Sequence, residues 1–274
     1  MSIIFTHYLI TRYNVTLEGW HIDKSGRTTG DNAWLTHRYE LFTQYCIPTI
    51  LIQSEKNFTW IIYCDRDTPV YHLDEISKSI SSIPQAKIKL TTGYYDCLKD
   101  IDRTLAVSGT SFVITSRLDN DDGIGKDYIK TIQEHFTPQD GTMINLFNGH
   151  GYNPLNKVAT RMYNMHLNHF TSLIERTQPN GGHISIRGFQ HDSPPPHFNI
   201  INIPAKNGWL KIFHDRNLRS SIFGYPLFLI DLNSLYGIDK NHSKINYYRT
   251  FIYSIWWLMD GCKRKLRHAL NQSR

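Results

Sequence analysis

The sequence predicts an α/β fold built on a parallel, doubly wound sheet, and three observations predict it. Apolar, β-branched runs alternate with segments of helical periodicity through the first half of the chain. Three polar clusters, Thr11-Arg12, Asp65-Arg66-Asp67 and Arg117 to Asp122, each follow one of those runs. The 274 residues, 40% hydrophobic and 13% aromatic, are enough for a sizeable core and exclude a disordered or low-complexity chain.

Taken in order, IIFTHYLI (3–10) is a strand that ends in the polar TRYN. Residues 33–46 place Trp34, Leu35, Leu41, Phe42 and Tyr45 near helical spacing, with Asp31 or Asn32 as cap and Pro48 ending that helix or opening the next. FTWIIYC (58–64) is a buried strand, HLDEISKSI a short helix, KIKLT (87–91) a strand and YYDCLKDIDRTLA a helix. SFVITS (111–116) is a strand, residues 127–136 a helix and TMINLF (142–147) a strand. From about 150 to 208 Asn, Gly, Pro and His dominate, and the segment reads as irregular. WLKIFH (209–214) restores regularity, and about 243–270 reads as one helix with an apolar patch and a basic end. In a doubly wound sheet ligands sit outside the carboxyl ends of the strands, so the three polar clusters should converge on one edge.

Thirty Lys/Arg against 24 Asp/Glu give a net charge of +6, but the last fourteen residues alone hold five of those cations and no Asp/Glu. The basicity belongs to the tail, which argues against nucleic acid as the main partner. Four cysteines, Cys46, Cys64, Cys97 and Cys262, form no CxxC pair, which excludes a disulfide scaffold and a zinc ribbon. The first residues lack a signal-peptide pattern and no run is long enough to span a bilayer, so the expected location is the reducing cytoplasm. Glycine signatures of dinucleotide and P-loop sites are absent, as is a nucleophile elbow.

The most informative stretch is Arg117-Leu118-Asp119-Asn120-Asp121-Asp122-Gly123. Three carboxylates in four residues repel one another, and a divalent cation is the usual way to offset that cost. Asp119 and Asp121 would point to one side if the extended backbone persisted beyond the strand. The alternative is a solvated loop that caps the next helix. Arg117 would reach a phosphate or form an ion pair with Asp119 or Asp122.

An apolar strand followed by Asp-x-Asp resembles the metal-binding motif of GT-A glycosyltransferases. FTHYLITRYN, WLTHRYELFTQYCIPTILIQ, FTWIIYCDRDTP, FVITSRLDNDDGI and WLKIFHDRN together resemble a bacterial rhamnosyltransferase family over residues 5–217. The resemblance implies a GT-A-like (Rossmann-like) mixed, mostly parallel sheet over residues 1–240. Its nucleotide-binding half would be 1–125 and its acceptor half 126–240, ahead of a helical basic tail, 241–274. It implies a Mn²⁺- or Mg²⁺-dependent enzyme moving a sugar from a dTDP- or UDP-sugar to a growing glycan such as lipopolysaccharide or capsule.

On that resemblance Asp121 is the firmest metal ligand and Asp119 bridges the metal or the ribose, with Asp122 able to replace either. Asp65 contacts the base or ribose, and Thr11 and Arg12 lie where the nucleotide enters. His214 is a further metal ligand, and Asn217 and Arg219 lie near the diphosphate. Asp192, in GFQHDSPPP, is the candidate base for an inverting enzyme, with His191 and Glu175 as rivals and a plain turn residue as the alternative. Asn180-Gly181-Gly182-His183 reads as a turn or a lid.

Phe251, Ile252, Ile255, Trp256, Leu258 and Met259 precede Lys263, Arg264, Lys265 and Arg267, a pattern that suits a helix lying on an anionic membrane face. The alternative is a terminal helix packed on the domain. Two other functions compete: a metal-dependent phosphohydrolase, and a non-catalytic glycan- or membrane-binding module.

Overall fold

The computed structural model describes residues 4–15, 22, 26–216 and 221–272, the last twelve of these as helical backbone. The elements run β1 (Phe5–Arg12), α1 (Asn32–Leu41), a π-helical turn (Phe42–Cys46), α2 (Ile47–Leu51), β2 (Thr59–Asp65), α3 (Val70–Ile80), β3 (Ala86–Thr91), α4 (Tyr94–Ala106) and β4 (Phe112–Arg117). They continue with β5 (Gly123–Ile124), α5 (Tyr128–Glu134), β6 (Thr142–Leu146), β7 (Gly149–Asn153), β8 (Val158–Met162), β9 (Ser172–Arg176), β10 (Asn199–Ile203), β11 (Trp209–Ile212), β12 (Tyr225–Leu227), α6 (Leu232–Tyr236) and α7 (Tyr247–Gln272).

The main sheet has the order β10-β6-β9-β4-β1-β2-β3. Every neighbouring pair is parallel except those of β9, which runs against both β4 and β6. The two-residue period of the strands sorts their side chains to two faces. Leu9, Trp60, Ile62 and Ile114 join Phe42, Ile50, Ile76 and Ile129 in the larger core. Ile10, Ile61, Tyr63 and Val113 meet Cys97, Ile101 and Leu105, which are spaced one turn apart along α4. Helices thus cover both faces, as the alternation of strands and helices predicts. Asp31 starts α1 by accepting from the Trp34 amide at 2.7 Å, a cap worth about 1 kcal/mol. Cys46, Cys64 and Cys97 are buried free thiols.

The stretch from 150 to 208 corrects the sequence reading, because β7, β8, β9 and β10 lie wholly or largely within it. β7 and β8 belong to a second sheet, ordered β12-β8-β7-β11-β5, in which only β7 and β11 pair in parallel. β7 reads GHGYN and carries little apolar signal. Its first glycine has a packing reason, since a Cβ on Gly149 would fall 2.2 Å from the Trp209 ring, which stacks on Phe170 at 5.0 Å. A polar chain crosses the same sheet. Arg161 Nη1 donates to Nε2 of His150 (2.7 Å), His150 Nδ1 donates to the Tyr236 hydroxyl (2.7 Å), and Tyr236 donates to the Trp209 carbonyl (2.9 Å).

Helix α7 packs one side on this second sheet. Thr250 is buried, Trp257 meets Tyr225 at 4.7 Å, and Tyr253 donates to the Gly224 carbonyl at 3.2 Å. Its other side leaves Tyr248, Phe251, Ile252, Ile255, Trp256 and Met259 exposed. Among the described residues no helix is long and apolar enough to cross a membrane.

Candidate active site

Parallel β1, β2 and β4 end side by side, with Ile10 opposite Arg117 and Arg12 opposite Tyr63, so Arg12, Asp65 and Arg117 lie along one edge of the sheet. The strand stops at Arg117, and a turn follows in which the Asp122 amide donates to the Asp119 carbonyl at 3.2 Å. The extended backbone does not persist, and the three carboxylates take different partners. Asp119 Oδ1 accepts from Arg187 Nη1 at 2.9 Å, and its Oδ2 from Arg117 Nη2 at 3.3 Å. Asp121 Oδ2 meets Arg38 Nη1 at 2.7 Å and His214 Nε2 at 2.8 Å. Asp122 Oδ1 accepts from the Ile212 amide at 2.9 Å and its Oδ2 from Lys211 Nζ at 2.7 Å. Even Asn120 is engaged, accepting from Arg38 and donating to the Tyr13 carbonyl.

Protein cations therefore offset the repulsion that the sequence assigned to a metal. Burial alone would raise Asp119, but Arg117 and Arg187 outweigh it and hold the carboxyl well below its ordinary range. Asp121 is likewise lowered, burial being outweighed by Arg38, the hydrogen bond from His214 and Lys211. Asp122 goes the other way: full burial, reinforced by Asp121 and Asp119, outweighs Lys211 and raises it. Burial would lower Lys211, yet the three carboxylates hold it protonated above its usual value.

Of the residues expected to meet a nucleotide, Arg12 lies over the Tyr94 ring at 5.2 Å, and its Nε is buried with no hydrogen-bond partner. Arg117 forms the expected ion pair with Asp119. Thr11 is fully buried and its hydroxyl accepts from the Trp60 indole at 2.9 Å, so it holds the sheet together and does not face the edge. Asp65 closes β2, where its Oδ1 accepts from the Asp67 amide at 3.0 Å.

Asp192 is exposed in a turn, beside His191, whose ring lies 5.3 Å from that of His169. Glu175 is buried and accepts from the Ile184 and Ser185 amides, a structural role. The 180–183 turn is clamped rather than loose: Asp102 of α4 accepts from the Gly182 and His183 amides and from His183 Nδ1 at 2.7 Å. Asn217 and Arg219 lie outside the described residues.

Four residues escaped the sequence reading. Arg38 and Arg187 are buried partners of the carboxylates, and Arg187 also donates to the Ile10 and Leu118 carbonyls, pinning β1 to the loop. Lys211 is a lone charge in the apolar run WLKIFH, which was the one legible hint. His169 Nε2 is buried without a hydrogen-bond partner, 3.7 Å from Asp122 Oδ2.

A divalent cation fits one end of this site better than the other. Asp119 and Asp122 are committed to Arg and Lys, and Asp122 is fully buried. Asp121 and His214 stand together, and the His37 ring lies 5.3 Å from His214. Asp119, Asp121 and His214 do not bring their ligand atoms into one group. Among the described residues the set whose atoms all lie within 4.8 Å is His37, His214 and Asp215.

The fold is a mostly parallel α/β sheet with charged residues gathered at its carboxyl edge, and a family comparison gives the class of protein it belongs to. The family described as "Putative rhamnosyl transferase" matches residues 11–224, and the chain belongs to it. Among solved structures, S. aureus TarS 1–349 in complex with UDP-GlcNAc is similar at 15% identity and a TM-score of 0.42, over 80% of this chain and 61% of that one. The TarS 1–349 complex with UDP gives 15% and 0.41, over 76% and 60%. HddC from Yersinia pseudotuberculosis gives 13% and 0.36, over 76% and 89%. The chain thus spans about 60% of the TarS fragment. No curated protein sequence matches it.

Proposed function

We propose that the protein transfers a sugar, rhamnose in the first instance, from a dTDP- or UDP-linked donor to a growing bacterial surface glycan such as lipopolysaccharide or capsule. The observation that carries this reading is the meeting of Arg117 and Arg187 with Asp119, and of Lys211 with Asp122, close to Arg12 at the carboxyl edge of β1 and β4. In the transfer, the acceptor hydroxyl oxygen bonds to the anomeric carbon as the bond from that carbon to the diphosphate oxygen breaks. The bonding electrons leave on the diphosphate, and the hydroxyl proton passes to a base, for which Asp192 is the proposed residue. Arg12, with its unsatisfied Nε, and Arg117, partly exposed, are placed to meet the charge that grows on the diphosphate. Asp65 would hold the ribose or base at the end of β2. A Mn²⁺ or Mg²⁺ ion at the Asp121–His214 end would supply further counter-charge to the leaving group.

The exposed apolar side of α7 and the run Lys263, Arg264, Lys265, Arg267 support peripheral attachment to the anionic inner face of the cytoplasmic membrane, where lipid-linked acceptors would be met.

The test is thermal stability against a panel of nucleotides and nucleotide-sugars, with and without Mn²⁺, followed by an assay for nucleoside diphosphate release with acceptor. A ligand at 100 times its Kd stabilises by about 2.7 kcal/mol, a shift of several degrees. A shift with one nucleotide that is lost in Arg12→Gln supports the donor site. No shift with any nucleotide overturns it in favour of a phosphohydrolase or a binding module.

A further inference from the structure

We infer that His37, His214 and Asp215 form a binding site for one divalent transition-metal ion, separate from the Asp119 carboxylate. His37 comes from α1, and His214 and Asp215 follow β11, so α1 and the end of the second sheet together build the site. One ligand atom from each residue lies within 4.8 Å of the others, close enough for a single ion to draw them together.

Two of the three side chains are held from behind by a hydrogen bond, as metal ligands commonly are: His214 by Asp121 and Asp215 by Arg27. A carboxylate can only accept, so His214 Nε2 donates its proton to Asp121 Oδ2 at 2.8 Å, which leaves the lone pair of the neutral ring on Nδ1. His37 has Glu40 Oε2 3.9 Å from its Nδ1, while its Nε2 faces Asp215 Oδ1, also at 3.9 Å. That Nε2 is shielded from solvent and makes no hydrogen bond, an expensive arrangement for a buried polar atom unless something binds it. Asp215 divides its carboxylate, giving Oδ2 to Arg27 Nη1 at 3.0 Å and turning Oδ1 to His37. The carboxylate behind the His214 imidazole fixes its tautomer and raises its basicity as a ligand, as in many metal centres.

Two imidazole nitrogens and one carboxylate favour Mn²⁺, Co²⁺ or Zn²⁺ over Mg²⁺ and Ca²⁺, which prefer all-oxygen sets. Three protein ligands leave positions for water or for phosphate oxygens. Asp121 acts here as a positioning residue for His214. A role for the ion in turnover rests on the glycosyltransferase reading; the ion site itself does not.

The experiment uses the full chain, stripped of metal and free of nucleotide. Free Mn²⁺ is followed by electron paramagnetic resonance, and Co²⁺ by its visible d–d absorption. We expect one strong site, weakened at least tenfold by His37→Asn and by Asp215→Asn, and changed less than about twofold by Asp119→Asn. Both weakening substitutions fall on partly or largely exposed side chains, and unchanged melting curves would show that the variants fold. No binding to the unaltered protein overturns the inference, as does binding that survives His37→Asn but is lost in Asp119→Asn. Metal binding without any nucleotide shift would sink the glycosyltransferase reading and leave the ion site standing. A nucleotide shift in a protein that binds no metal would do the reverse.

Discussion

Nε2 of His214 and Nη1 of Arg38 converge on the same oxygen of Asp121, at 2.8 and 2.7 Å. One buried carboxylate therefore ties α1 to the end of the second sheet. Asp121→Ala would strand the Arg38 guanidinium, and breaking a buried pair costs about 3–5 kcal/mol. Urea denaturation should show a loss of that order. A loss below about 1 kcal/mol would mean that Asn120, which already accepts from Arg38 at 3.2 Å, takes over the charge. Activity in such a variant is interpretable only beside its stability.

Lys211 and Asp122 make a second such pair, the carboxylate fully buried. Lys211→Met alone should destabilise by up to about 3–5 kcal/mol, because it leaves the buried Asp122 carboxyl without its counter-charge and forces it to take up a proton. Lys211→Met with Asp122→Asn removes both charges, and the amide oxygen can still accept from the Ile212 N–H. The double variant should recover at least half of the loss in the same measurement; a double variant as unstable as the single one would refute the pairing argument.

Acid sensitivity should come partly from His150. Burial, then Arg161, lower its pKa to about 3, and its Nε2 accepts from Arg161 as only a neutral ring can. Between about pH 6.5 and 3 the unfolded chain binds a proton there and the native chain does not. Stability is therefore complete above 6.5 and falls as pH drops, by up to about 1.4 kcal/mol per pH unit. His150→Gln should flatten the fall in denaturation midpoint between pH 6 and 4. An unchanged slope would place the acid sensitivity elsewhere, with His7, which burial also lowers to about 3, as the next residue to vary.

Phe251→Glu with Trp256→Glu alters only the exposed side of α7, so the melting temperature should move little. Co-sedimentation with vesicles rich in anionic lipid should drop at least tenfold. Added salt should weaken the unaltered protein's binding through the polybasic run. Equal sedimentation of variant and parent would rule out this face as the membrane contact.

The first half of the fold was legible because β1, β2 and β4 are compact apolar runs and α3 and α4 have clear buried stripes, as Cys97, Ile101 and Leu105 show. The second sheet was not, because β7 and β8 are five-residue strands whose Gly, Thr and Arg residues carry meaning only against Trp209 and His150. The site divides in the same way. Asp119, Asp121 and Asp122 stand out locally, while Arg187 and Lys211 reach them from 68 and 89 residues away. No spacing rule brings such partners together, and without them a metal, with Arg117 beside it, looked like the usual source of positive charge.

The reversed strand β9 has a further consequence, for the order in which the chain can assemble. Strands β1 to β4 pair among themselves through parallel crossovers and can form early. The β4 edge then waits for a partner whose pairing joins Ser116 to Ser172, 56 residues further along. Until β9 docks, a buried strand of sequence FVITS presents open amides and carbonyls in the middle of the future sheet. Slow refolding and self-association should thus arise at this seam, and conditions that hasten the closing of β9 should suppress both.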